Sequence, residues 1–142
     1  MKYFPSFIFV LLLAACSTKN SDDTAEYQEW KELQSFHLLM AEAFHPYKDS
    51  ANLEPAKSLA KEMADEVTKW MGVALPGKVD NEEMKQKLQD LNIGSRDFLK
   101  IVSENSPDSV IAQSLSDLHN TFHEIQEGWY GAGKKDDHSE HH

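Results

Sequence analysis

The spacing of apolar residues most constrains what this chain can become. Between residues 25 and 130 they recur at steps of three and four, and nowhere do they alternate with period two for long enough to make a strand. Four such stretches follow one another, each about 20 residues long and parted by short breaks. An amphipathic helix must bury its apolar stripe against a neighbour, and short connections favour antiparallel neighbours. The pattern therefore predicts an all-α, up-down-up-down four-helix bundle over residues 25–130. The chain's 142 residues suffice for one such domain with a real core and are too few for two.

The first stretch, residues 25–44, places Trp30, Leu33, His37, Met40 and Phe44 on the inward face. Asp22, Asp23 and Thr24 are available to cap it, and Pro46 is expected to end it, because a residue before proline is pushed out of helical geometry. His45 falls at that boundary and reads as part of the loop. The second stretch, residues 53–73, tolerates Pro55 in its first turn and runs along Ala56, Leu59, Ala60, Met63, Val67, Trp70 and Met71. Pro76 and Gly77 mark the next break. The third stretch opens on Asp80 or Asn81 as cap and carries Met84, Leu88, Leu91, Phe98, Leu99 and Val102. Gly94 and Ser95 interrupt it as a potential kink. Ser106, Pro107 and Asp108 form the clearest helix start, and the fourth stretch continues to about Glu127 along Ile111, Leu115, Leu118, Phe122 and Ile125 towards Trp129. Gly128, Gly131 and Gly133 are read as its end, and residues 131–142 as a polar, disordered His/Asp-rich tail.

Residues 1–15 stand apart from the domain. Lys2 supplies a positive start, and the apolar run from Phe7 to Leu13 is too short to span a bilayer but has the form of a secretory signal. Leu13, Ala14, Ala15 and Cys16 resemble the signal-peptidase box of bacterial lipoproteins. That resemblance implies cleavage before Cys16 and acylation of its sulfur and of the new amino terminus. Cys16 is the single cysteine, so no intramolecular disulfide is available, whereas a lipidated thiol is an anchor. Residues 16–24 then form a polar tether. Asp22 and Asp23 are similar to the surface-export signals of some Gram-negative lipoproteins, although an acidic helix cap looks the same. The implied location is the bacterial cell envelope, on the outer membrane, at its periplasmic face or the cell surface.

Charge excludes one class of partner. The chain carries 14 Lys+Arg against 24 Asp+Glu, and Arg96 is its one arginine. Nucleic acid and anionic lipid need clustered Lys and Arg, so both are poor partners, whereas cations are electrostatically favoured.

The histidines carry the only chemistry. His119 and His123 are four apart and share a helix face. In an antiparallel bundle the first and fourth helices can be neighbours, which brings His37 to within roughly 6 Å of the height of His119. Met40 is three residues from His37, and Met63 lies at a comparable height. His37, His119 and His123 with Met40 suit copper, with zinc or nickel possible for the imidazoles. The plainer alternative is that each histidine packs or is half-exposed and each methionine is core. His138, His141 and His142 form a separate tail cluster whose evidence is compositional only.

Sharper motifs fail. His119 is not followed by the glutamate that a zinc protease needs, and Glu42 with His45 gives one copy of a Glu-x-x-His pattern where a di-iron bundle needs two. Cys-x-x-Cys-His is absent, so covalent haem is excluded. Non-covalent haem b, held by a histidine and a methionine from different helices, is the less favoured cofactor, in a loose similarity to b-type four-helix cytochromes. No serine has an activating context, and nothing names a reaction. The sequence thus points to a non-enzymatic, membrane-anchored bundle that binds a transition metal. The alternatives are a haem-binding electron carrier and a structural or interaction lipoprotein.

Overall fold

A computed structural model describes residues 29–132; the expected lipoprotein box, the expected tether and the His138/His141/His142 tail lie outside them. Four helices and one short 3-10 turn make up the described chain: α1 (Lys31–Ser50), α2 (Glu54–Trp70), the turn at Gly77–Val79, α3 (Glu82–Ser103) and α4 (Asp108–Ala132). No strand occurs among the described residues, and no helix among them is long and apolar enough to cross a membrane.

α1 differs from its sequence reading at both ends and in its face. It begins at Lys31, with Trp30 extended in the cap position and no side-chain cap. Glu29 and Trp30, expected to be helical, are not. Its buried residues are Leu33, Phe36, Met40 and Ala43, so Phe36 takes the inward place assigned to His37, while His37 is exposed and Phe44 half-buried. The helix also runs through Pro46 to Ser50. Proline removes one N–H but keeps its own carbonyl as an acceptor. That carbonyl accepts from Ser50 Oγ at 2.9 Å and from the Asn52 N–H at 3.2 Å. Tyr47, one residue further on, packs its ring edge-on to Phe44 at 5.9 Å. His45 therefore sits within the helix. Ala51 closes it in the left-handed region at φ 56°, where its N–H reaches the Tyr47 carbonyl at 2.8 Å.

The other three helices follow their apolar stripes more closely. α2 buries Ala56, Ala60, Met63, Val67 and Trp70 and ends before Met71, which is exposed. α3 starts on the expected Asn81, whose side-chain oxygen accepts from the Met84 N–H at 2.9 Å. It continues unbroken past Gly94 and Ser95. Ser95 is fully buried, and its hydroxyl donates to the Asn92 carbonyl at 3.0 Å. α4 likewise runs past Gly128, which is a point of close approach and not a stop. A Cβ there would lie 2.6 Å from Met84 Cε.

The ends meet as an antiparallel bundle requires. Trp30 at the start of α1 packs on Trp70 at the end of α2 (5.1 Å between ring centroids) and on Trp129 near the end of α4 (5.3 Å). Each helix touches its two neighbours around a closed ring, and α1 and α4 share the least extensive of the four seams. The core is continuous from Trp30 through Phe36, Met63, Phe98 and Phe122 to the opposite end. Lys57, near the start of α2, bonds Glu54 at 3.1 Å and Asp108 of α4 at 2.9 Å, which ties that opposite end across the bundle.

Candidate metal centre

The α1–α4 seam holds a cavity of about 110 Å³ lined by His37, Met40, Ala41, Phe44, His45, His119, Phe122, His123 and Gln126. Helix spacing explains the α1 side. Residues 37, 41 and 45 are four apart and form one stripe beside the buried stripe of Phe36, Met40 and Ala43. Because α1 continues through Pro46, the third residue of that stripe, His45, remains on the wall. On α4 the same spacing brings His119 and His123 to the seam, either side of the buried Phe122.

All four described histidines therefore face one small space. His119 and His123 have their Nε2 atoms 3.1 Å apart, with rings edge to face at 4.3 Å. That contact requires one ring to donate an N–H and the other to offer its lone pair. The Phe44 ring stacks on His119 at 3.7 Å, nearly parallel at 11°. The His37 ring lies 5.9 Å from Phe122 and flanks the cavity beside it. Met40 is almost completely buried at the cavity wall, whereas Met63 does not line it.

At His119 the surroundings favour the neutral ring. Burial holds His119 below the usual histidine value. The charge of His123 pushes it the same way, Asn120 opposes through a hydrogen bond, and His45 and Lys48 depress it a little further. A neutral ring offers a lone pair, which a metal ion needs and a proton competes for.

The geometry goes part of the way to a site. Two Nε2 atoms 3.1 Å apart, each about 2.0–2.1 Å from one ion, subtend roughly 100° at it, between square and tetrahedral angles. Among the described residues no three His, Cys, Asp or Glu side chains already converge tightly enough to hold an ion. The His119/His123 pair is in place, and His37, His45 and Met40 line the same cavity. The expected set of His37, Met40, His119 and His123 is thus brought to one cavity, with His37 at its edge and not on the core seam. Sequence reading placed His45 in a loop and read Phe44 as an inward packing residue with no part in the site. The signal for His45 was its spacing of eight from His37. The ring stack depends on two side-chain rotamers and had no sequence signal.

No protein-family model matches the chain, no curated protein matches it, and no solved structure matches it.

Proposed function

We propose that this protein is a lipid-anchored bundle of the bacterial cell envelope that binds one transition-metal ion in the α1–α4 seam and catalyses no reaction. His119 and His123 are the primary ligands, and His37 and Met40, which line the same cavity, complete the set. The observation that carries the reading is that His37, His45, His119 and His123, drawn from two helices, all line one cavity of about 110 Å³. Copper, zinc and nickel all accept imidazole. The space favours an ion over haem b, since pockets for organic ligands start at about 300 Å³. Anchoring rests on the resemblance of Leu13, Ala14, Ala15 and Cys16 to a lipoprotein box, and on Cys16 being the chain's one cysteine.

The test is metal retention by the chain from residue 16 onward, with His138, His141 and His142 changed to alanine to remove the tail. One equivalent of bound copper, zinc or nickel, lost in a His119→Ala, His123→Ala double variant that keeps its helical circular dichroism, supports the proposal. A Soret band on adding haem would move the reading to electron transfer. Failure to bind either below micromolar would leave a structural or interaction lipoprotein. Incorporation of labelled palmitate in the bacterial cell, abolished by Cys16→Ala, tests the anchor separately.

A further inference from the structure

We infer that the ion this cavity selects is cuprous, Cu(I), and that Met40 is the residue that sets the choice. The inference rests on the metal-binding reading above and narrows it.

The first ground is what the cavity lacks. Among the described residues, no carboxylate lines it. Its donors are four imidazoles, a thioether and the Gln126 amide. Hard dications such as magnesium, calcium and manganese take carboxylate and water oxygens and find neither charge nor geometry here. A dication held by neutral donors also keeps its full charge at a partly desolvated site, and the cost of burying an ion rises with the square of that charge. Lys48, which already acts on His119 as a neighbouring positive charge, adds to the penalty.

The second ground is room. The cavity of about 110 Å³ is small, so protein side chains rather than a full hydration shell can supply most of an ion's ligands. Low coordination suits a monovalent d10 ion with few ligands. The third ground is softness. Met40 is 1 % exposed and offers the only sulfur in the cavity wall, and thioether sulfur favours Cu(I) over zinc and nickel. The His119/His123 pair needs to open by only about 0.4 Å for such an ion. Three-coordinate binding with bonds of about 2.0 Å sets two nitrogens about 3.5 Å apart, and the His119 and His123 Nε2 atoms are at 3.1 Å. The Phe44 ring stacked on His119 covers one face of that imidazole and leaves its nitrogen edge toward the cavity open to an ion.

The experiment uses the chain from residue 16 onward with Cys16→Ser and the three tail histidines changed to alanine, so that no thiol or tail competes. Anaerobic competition with a chromogenic cuprous chelator gives the Cu(I) affinity. Matched competitions with chelators for Zn(II) and Cu(II) give the others, and X-ray absorption at the copper edge identifies the scattering atoms. The expected result is one Cu(I), bound at least tenfold more tightly than Zn(II) or Cu(II), with one sulfur and two or more nitrogens around it. Met40→Leu, close in volume, is expected to weaken Cu(I) tenfold or more and move Zn(II) less than twofold. Equal or tighter Zn(II) or Cu(II), or a copper shell without sulfur in the unaltered site, overturns the choice of ion but leaves metal binding standing. No binding of any of the three ions overturns both.

Discussion

Replacing Phe36 and its neighbour His37 by alanine, one at a time, asks which of them α1 buries. Phe36 is fully buried and packs against two rings, Phe122 at 5.1 Å and Trp70 at 6.2 Å between centroids. Both distances fall in the range where aromatic pairs add to simple area burial. Truncating such a ring to alanine costs about 3–5 kcal/mol, and two ring partners place Phe36→Ala at about 4 kcal/mol. Domains of this size are stable by roughly 5–15 kcal/mol, so a quarter or more of the total would be lost. At about 4–8 °C per kcal/mol, the midpoint should fall by roughly 15–30 °C. His37 is exposed, and its ring contact with Phe122 is at 5.9 Å. Metal-free His37→Ala should therefore stay within about 0.5 kcal/mol of the parent. Urea unfolding followed by far-UV circular dichroism, without metal, measures both. A His37→Ala loss above about 2 kcal/mol, or a Phe36→Ala loss below about 1 kcal/mol, would contradict the ordinary ranges for surface and core sites and refute the assignment of the buried face.

Three further outcomes are expected. Pro46→Ala should raise stability by about 1–2 kcal/mol, because a proline in a helix interior costs about 3 kcal/mol and part of that is offset by the stiffer unfolded chain; an unchanged or lower melting point would mean that α1 already accommodates the proline without strain. Ala51→Gly should stabilise by roughly 1 kcal/mol, since a non-glycine residue at φ 56° bears the steric cost of the left-handed region; thermal unfolding reads it, and a loss of stability would count against the conformation. Finally, His119 has a folded pKa below its unfolded value of 6.5, so the stability it contributes is present above about pH 6.5 and lost as pH falls through the folded value. Urea midpoints of metal-free protein from pH 8 to 5 should therefore fall more steeply in the parent than in His119→Gln, and parallel curves would exclude the effect.

Periodicity was enough to read the helix number, the class and most of the core. Where the stripe is purely apolar, as from Met84 to Leu91 in α3 or from Ile111 to Trp129 in α4, its residues are the buried ones. α1 misled because Phe36 and His37 are adjacent, and both fit a three-four spacing from Leu33. Only the aromatic partners on α2 and α4 decide between them. Pro46, Gly94 and Gly128 misled for a shared reason. Each lowers local helix propensity, and each is outweighed: Pro46 beside the Tyr47–Phe44 ring contact one turn apart on α1, and Gly94 and Gly128 by packing against Leu118 and Met84 of other helices. The site was legible as residues and not as geometry. Spacing alone could pair His119 with His123, whereas the place of His45 depended on how far α1 ran, and the Phe44 stack on rotamers.

Trp30, Trp70 and Trp129 are all the tryptophans the chain has, and they are gathered at one end of the bundle. Intrinsic fluorescence is thus a regional reporter. It registers whether the start of α1 and the ends of α2 and α4 are docked, while α3 contributes no indole to it. Far-UV circular dichroism weighs all four helices together. Coincident denaturation curves from the two would mark a single cooperative transition. A fluorescence change that came first would identify a partly open form frayed at the indole end, before the histidine seam had parted.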